Sequence, residues 1–179
     1  MPDRPKLETL AIVHYPDPVL RRRAEPIREI DGFLKELAER MNALMIEAVG
    51  IGLAANQIGW SHRFFIINLT GEAGRYEAFC DPEIILQEGR AREREGCLSV
   101  PGVNAQVTRP AHVIVEATRL DGERVRLDAE GYAARALLHE IDHLNGDLFI
   151  DKVGMAARIM VRSRLRELEE RFKPASGTL

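Results

Sequence analysis

The pentapeptide His139-Glu140-Ile141-Asp142-His143 decides how the rest of this chain must be arranged. On an α-helix, residues i and i+4 lie on the same face, so the imidazoles of His139 and His143 can point at one metal ion. Glu140 then lies beside that ion, where a carboxylate can accept a proton. The pentapeptide therefore predicts a helix with a metal-binding and acid–base face, around which the other elements pack.

Apolar residues recur at helical spacing in three stretches of the chain. The stretch that contains the pentapeptide predicts a helix from about Ala129 to Leu144, with Asp128 as its N-cap and Asn145-Gly146 at its end. A preceding helix is predicted from about Gly32 to Ala48, and a following one from about Met155 to Phe172. One helix is thus expected before the metal-binding helix and one after it.

The stretch between the first two helices is mostly β in character. Short runs rich in β-branched and aromatic residues predict strands at Phe64–Leu69, Glu83–Leu86 and His112–Ala117. Asp121-Gly122 follows the third run and is a strong hairpin signal. This order predicts an α+β fold, with mixed or antiparallel sheets packed around the central metal-binding helix and with an N-terminal and a C-terminal helix.

Composition limits the class of protein. The chain has 179 residues, of which 45% are hydrophobic and 30% charged, and this suits a single domain, 1–179, with a flexible tail at 173–179. The 25 basic and 28 acidic residues give a net charge of −3, which is too close to neutrality to favour DNA as a partner. Neither a membrane-length apolar run nor an apolar N-terminal signal is present, so no membrane partner and a cytoplasmic location are expected.

A catalytic metal site usually needs a third protein ligand beside the two histidines and one open position. One class of metallopeptidases takes it six residues after the second histidine, but that position holds Phe149. The last helix offers Glu167, Glu169 and Glu170, which lie among alternating charges typical of a solvated face. Cys97 is the better candidate, because a thiolate and two imidazoles suit a tetrahedral divalent ion.

Three segments together resemble one enzyme family. They are Gly50-Ile51-Gly52-Leu53-Ala54-Ala55-Asn56-Gln57, Glu95-Gly96-Cys97-Leu98-Ser99 and His139-Glu140-Ile141-Asp142-His143-Leu144-Asn145-Gly146. In this order they are similar to the motifs of peptide deformylases, which remove the formyl group from the starting methionine of new bacterial and organellar polypeptides. The resemblance covers nearly the whole chain, since the entry segment His14–Leu20 and the hairpin before the metal-binding helix also look like the family.

The resemblance implies a role for each residue of the site. Cys97, His139 and His143 would hold the metal, and Glu140 would accept a proton from water at its open position. The side-chain amide of Gln57 and the backbone N–H of Leu98 would donate to the oxyanion. Residues expected to bind the substrate are Gly50, Ile51, Gly52, Gly96, Tyr132, the stem of Arg135, and Ala136. Glu95 and Arg109 resemble a family ion pair that braces the cysteine loop.

The ligand set limits the choice of metal ion, and the resemblance implies the partners. Cysteine and two histidines suit zinc, iron(II), cobalt or nickel, and the resemblance favours iron(II). The expected partners are N-formyl-methionyl nascent peptides. A transient ribosome contact is possible through the last helix, whose arginines are also explained by a solvated face; they are Arg158, Arg162, Arg164 and Arg166.

One departure from the family's pattern, the role of the second cysteine and two alternative functions remain at this point. Asn104 stands where many relatives carry arginine, which predicts weaker binding of the peptide beyond methionine, and Cys80 is expected to be a small buried hydrophobe. The first alternative is a metallopeptidase that cleaves internal peptide bonds, but this chain lacks the third histidine that it would need. A non-catalytic metal-stabilised or redox-sensing domain of the same fold would need neither Glu140 nor Gln57, and it would close all four metal positions with protein ligands.

Overall fold

The computed structural model describes residues 4–70, 72 and 74–172, so the tail predicted at 173–179 lies outside the described residues. The helices and strands found in this part of the chain are, in order, α1 (Gly32–Glu47), β1 (Gly52–Ala54), β2 (Phe64–Ile67), β3 (Glu77–Glu88), β4 (Ala91–Gly96), β5 (Asn104–Arg109), β6 (His112–Arg119), β7 (Arg124–Glu130), α2 (Gly131–Asn145) and α3 (Met155–Arg171). Short 3-10 turns lie at Leu7–Thr9, Pro18–Arg21, Ala55–Ile58 and Phe149–Asp151.

The strands form two antiparallel sheets. One has five strands in the order β1-β2-β3-β6-β7, and the other consists of β4 and β5. The pentapeptide lies on α2, while α1 precedes the strands and α3 follows α2. The α+β fold with antiparallel sheets around a central helix is therefore confirmed.

Strand β2 explains why the five-stranded sheet carries a helix on each face. Its four residues, 64–67, are all buried, and a continuous apolar run of this length is typical of a strand covered on both sides. The even-numbered residues join the cluster formed by α1, which includes Met41. The odd-numbered residues join the cluster formed by α2, which includes Ile141. The alternation of side chains along β2 thus fixes α2 against the sheet face opposite α1.

A third apolar cluster attaches the two-stranded sheet to the end of the chain. Val107 of β5 lies in this cluster with Phe149, which follows α2, and with Val161 of α3. Leu20 of the entry segment is fully buried in the same cluster. The cluster therefore attaches β5, and β4 paired with it, to α3 and to the segment that directly follows α2.

The start of α2 differs from the prediction, in which Ala129 began the helix and Asp128 capped it. Strand β7 continues to Glu130, with Asp128 paired to Ile114 and Glu130 to His112. The helix begins at Gly131 and Glu130 stands at its N-cap without a capping side-chain bond. Hydrogen bonds of the hairpin thus outweigh the local capping preference of Asp128.

Several strands were missed or shortened by the sequence analysis. The prediction of 83–86 covers only part of β3, which extends over 12 residues, and irregular register interrupts its alternation between Cys80 and Glu83 and between Ile84 and Leu86. Strands β1, β4 and β5 were not predicted. β1 has three residues, and β4 is rich in arginine and glutamate, which do not indicate a strand.

Gly146 ends α2 and gives a prediction on stability. Its φ is +83°, and a Cβ there would lie 2.5 Å from the backbone oxygen of Arg21. We expect Gly146→Ala to lower the free energy of unfolding by about 2–4 kcal/mol in urea titrations, because backbone strain and a clash add together. Gly122→Ala is the matched control, since its φ is +89° and an added Cβ would meet no non-neighbouring atom of the described residues within 4 Å. We expect this control to lower the free energy of unfolding by only about 1–2 kcal/mol. Equal losses in both variants would contradict the close approach.

Candidate metal centre and active site

Helix α2 and the turn after β4 bring three potential metal ligands together. Cys97, His139 and His143 each offer one donor atom, and these atoms lie within 4.8 Å of one another. The Nε2 atoms of the two histidines are 3.3 Å apart, and the Sγ of Cys97 is 3.2 Å from His143 Nε2. In a tetrahedral site with metal–nitrogen distances of about 2.0–2.1 Å, two nitrogen ligands lie about 3.3–3.4 Å apart. The donor set and its spacing therefore fit a tetrahedral divalent ion.

Glu95 orients the first histidine. Its Oε1 lies 2.7 Å from His139 Nδ1, so the other ring nitrogen is directed at the ligand group. Arg109 donates to both carboxylate oxygens of Glu95, and Arg135 donates to Oε2 over 2.8 Å. Burial alone would raise the pKa of Glu95, but the hydrogen bonds from Arg109 and His139 hold it well below its usual range. Glu95 is therefore a buried carboxylate anion that fixes His139.

Arg109 connects this carboxylate to helix α2 at a second point. Its Nη1 lies 2.7 Å from Asp142 Oδ2, and Lys152 lies 3.1 Å from the other oxygen of Asp142. Asp142 directly precedes the ligand His143 in the chain. One arginine thus braces His139 through Glu95 and holds helix α2 beside His143 through Asp142.

The two histidines have opposite pKa shifts before a metal binds. Burial lowers the pKa of His143 well below its ordinary value, and the positive charge of His139 adds to this. Burial alone would also lower the pKa of His139, but hydrogen bonds to Cys97 and Glu95 raise it well above the ordinary value. Since a histidine ligates as the neutral imidazole, metal binding releases the proton held by His139.

Glu140 lies beside the ligands as a buried carboxyl group. Its Oε2 is buried without a hydrogen-bond partner among the described residues, and burial raises its pKa to about 7. A carboxyl group of this pKa can both accept and donate a proton near neutrality. Gly52 makes room for it, because a Cβ at that position would lie 2.2 Å from Glu140 Oε1.

The side chain of Gln57 is held with its amide nitrogen toward the ligands. The N–H of Ala54 donates to Gln57 Oε1 over 2.8 Å, which fixes the orientation of the amide because a backbone N–H can only donate. Nε2 then lies 3.6 Å from Cys97 Sγ and 3.2 Å from Ser99 Oγ. Gln57 therefore directs N–H donors at the space beside Cys97, on the 3-10 turn Ala55–Ile58.

A cavity of about 370 Å³ opens onto this group. Of the residues singled out from the sequence, those that line it are Gly50, Ile51, Gly52, Gln57, Glu95, Gly96, Cys97, Leu98, Tyr132, Arg135, Ala136, His139 and Glu140. His143 and Arg109 are almost fully buried and lie outside its lining. The guanidinium of Arg135 is buried against Glu95 and the carbonyl of Ala91, so its charge faces the brace and not the cavity opening.

Six lining residues were not found by the sequence analysis. They are Val49, Arg94, Val100, Gly102, Val103 and Asn104, the last of which was discussed only as a departure from relatives. Arg94 lies two residues before Gly96 on β4, so the alternation of side chains along this strand would have placed both residues on one face. Because the strand was not predicted, Arg94 was missed. Val49 has a φ of +56° and is 91% exposed. A β-branched residue in this region is a conformational outlier that composition does not reveal.

The two cysteines differ in a way that gives a second prediction. Cys80 is fully buried, and burial raises the pKa of its thiol to about 12, whereas Cys97 is half-buried at the cavity. We expect a maleimide to label native protein once per chain after anaerobic metal removal, and twice in urea, because only accessible thiolates react. Cys97→Ser is the control and should take up no label while folded. Rapid labelling of that folded variant would show that Cys80 is accessible.

None of the helices in the described part of the chain combines the length and the apolar character needed to cross a membrane.

Comparison with known proteins agrees with this geometry. Residues 9–158 match the family model described as Polypeptide deformylase. A curated peptide deformylase of Acidobacterium capsulatum is 46% identical over 160 residues, which cover 88% of this chain and 94% of that protein. A crystal structure of Plasmodium falciparum peptide deformylase superposes with a TM-score of 0.89 at 37% identity, covering 94% of this chain and 100% of that one. A plant peptide deformylase superposes with a TM-score of 0.92 at 35% identity, covering 98% and 97%. The chain belongs to the polypeptide deformylase family.

Proposed function

We infer that this protein is a metal-dependent hydrolase that removes the formyl group from the N-terminal formyl-methionine of nascent polypeptides and releases formate. One observation carries the inference. The Glu140 carboxyl group, which is buried without a hydrogen-bond partner among the described residues, and the N–H donors of Gln57 lie beside three converging metal ligands at one cavity. A site that only stabilised the fold would need neither group, and nothing in the structure or the comparisons favours the non-catalytic alternative.

The residues divide the reaction between them. Cys97, His139 and His143 would hold a divalent ion, which would supply Lewis acidity for activating the attacking water. Glu140 accepts a proton from the attacking water and later donates it to the departing amine nitrogen. Before a metal binds, burial raises the pKa of Glu140 to about 7, toward the range in which one carboxyl group can both accept and donate a proton near neutrality.

Hydrogen-bond donors complete the proposed mechanism. As the formyl carbon becomes tetrahedral, its oxygen gains negative charge, and donors placed there in advance stabilise it without reorganisation. Gln57 Nε2 and the backbone N–H of Leu98 take this role in the proposal. It is supported for Gln57 by the Ala54 hydrogen bond that fixes its amide, and for Leu98 by its position at the cavity directly after Cys97.

The cavity wall suits an apolar side chain such as methionine. Its apolar lining includes Ile51, Leu98, Val103 and Ala136, while Tyr132 lies at the opening and is 60% exposed. The segment 50–52 approaches the rest of the site closely, because a Cβ on Gly50 would lie 2.6 Å from Leu98 Cδ1. The proposal assigns the methionine side chain to this wall and the peptide backbone to segment 50–52 and Gly96.

The proposal extends to the metal ion, the location of the protein and its contact with the ribosome. Iron(II) is proposed as the physiological ion, with zinc, nickel or cobalt also suited to these donors. The protein is proposed to work in the cytoplasm as one catalytic domain and to contact the ribosome transiently through α3. Arg158, Arg162 and Arg166 are exposed there. Arg164 instead bonds to Glu167 and to the carbonyl of Pro101 and is not offered for that contact.

The direct test is formate release from formyl-Met-Ala-Ser by protein purified anaerobically and loaded with iron(II), with bound metal counted per chain. Anaerobic handling matters because a thiolate beside iron(II) is open to oxidation. We expect one ion per chain and formate in proportion to enzyme. A fully metallated protein that releases no formate would contradict the proposed function.

A further inference from the structure

The cavity contains one charged side chain that the mechanism does not use. Glu95 and Arg135 also line it, but they bind each other, and Arg109 completes their network. Arg94 is exposed, lines the same cavity and makes no side-chain hydrogen bond or ion pair with any residue that the structure describes. Its guanidinium is therefore available to an anionic group on whatever molecule enters.

The register of β4 and β5 shows which wall carries this charge. Directly paired residues of antiparallel strands share a face, and so do residues i and i+2 of one strand. Arg94 pairs with Gln106, and Gly96 pairs with Asn104, so these four residues lie on one face of the two-stranded sheet. Glu95 lies on the opposite face and is buried. Arg94 thus gives a positive charge to the part of this face that lines the cavity, beside Gly96 and Asn104.

The direction in which a substrate leaves the site follows from the rest of the lining. The formyl group must reach the ligands of α2, and the methionine side chain takes the apolar wall. The remainder of the peptide has to extend toward solvent, because the residues on the ligand side are buried, Glu140 at 3% and His143 at 1% exposure. Arg94 is both exposed and part of the cavity lining, so the inference places the downstream residues of the peptide beside it.

We propose that Arg94 is a specificity-determining residue, which favours formyl peptides with an acidic side chain at the second or third position. The chemistry is a charge-assisted hydrogen bond between guanidinium and carboxylate. Since both groups remain exposed to solvent, its effect is modest and sensitive to salt. This inference rests on the proposed function, because it concerns which formyl peptides the site prefers.

The experiment compares kcat/KM for peptides based on formyl-Met-Ala-Ser with amidated C-termini. Three series carry glutamate, serine and lysine, respectively, and each series places its residue at either the second or the third position. At low ionic strength we expect glutamate to exceed lysine by about three- to tenfold at one of these positions, mostly through KM. The ratio should fall toward one as salt rises to about 0.5 M.

Three variants distinguish a direct contact of Arg94 with the peptide from a general effect of the positive charge on this face. Arg94→Gln should abolish the glutamate preference, and Arg94→Glu should reverse it toward lysine. Arg92→Gln removes an equal charge from the same face of β4, but Arg92 does not line the cavity, so the preference should survive. A preference that persists in Arg94→Gln, or that Arg92→Gln abolishes equally, would overturn the proposal. Activity on the serine peptide reports on the proposed function separately, since that peptide carries no charge to select.

Discussion

Replacing Glu140 with glutamine should lower kcat for formate release by about 10²–10⁴-fold while the protein keeps its metal. The amide is close in shape to the carboxyl group but cannot accept the proton of the attacking water. The Glu140→Gln variant should keep its fold, because Oε2 of Glu140 has no hydrogen-bond partner to lose within the described residues. The measurement is kcat on formyl-Met-Ala-Ser with iron counted in both proteins.

The matched control for this variant is Glu130→Gln. Glu130 is an exposed acidic residue at the N-terminal end of the same helix, away from the cavity lining. We expect its variant to retain full activity. If a metal-loaded Glu140→Gln enzyme kept more than about a tenth of the wild-type kcat, Glu140 would not be the proton acceptor.

The second large effect is expected from Gln57→Leu, which should lower kcat by about 10²–10³-fold with a smaller change in KM. The reason is that Nε2 donates to charge that develops only in the transition state. The same substitution leaves the Ala54 N–H without its acceptor, which costs about 1–3 kcal/mol of stability. Thermal unfolding must therefore be measured beside the kinetics.

Gln57→Glu distinguishes the two consequences. Its carboxyl group still accepts from the Ala54 N–H but offers no N–H donor, so the Ala54 hydrogen bond is kept while kcat stays low. Gln87→Leu removes an exposed glutamine of β3 and serves as the neutral control. Recovery of kcat in Gln57→Glu would show that the amide only supports the fold.

Prediction from the sequence was most successful where the site chemistry and the secondary structure require the same spacing of residues. The i, i+4 histidines of α2 specify both a helix and two ligands, and both follow from five consecutive residues. The third ligand has no such periodic relation to them. Residue chemistry favoured Cys97 over other candidates, but Gln57 and Leu98 came only from the resemblance, since neither type carries a signal for its role.

The two-stranded sheet was invisible because its inner face is partly ionic. Alternation predicts a strand when apolar residues mark the buried side, but Glu95 and Arg109 are buried there in a paired network. Because paired charges do not mark a buried side in such a pattern, β4 was not predicted, and Arg94 at the cavity was missed with it. Arg135 belongs to the same buried network through its bond to Glu95, although a guanidinium on a helix usually reaches solvent.

The chain order of the ligands bears on how this enzyme becomes active during its own synthesis. Cys97 precedes His143 by 46 residues, and strands β5–β7 lie between them. At translation rates of about 5–20 residues per second, the ribosome needs about 2–9 s to add that stretch. Until this stretch is complete, the cysteine lacks the full set of ligands that the folded chain brings together. An enzyme that acts on growing chains thus passes, in its own synthesis, through a stage in which its metal site cannot yet form.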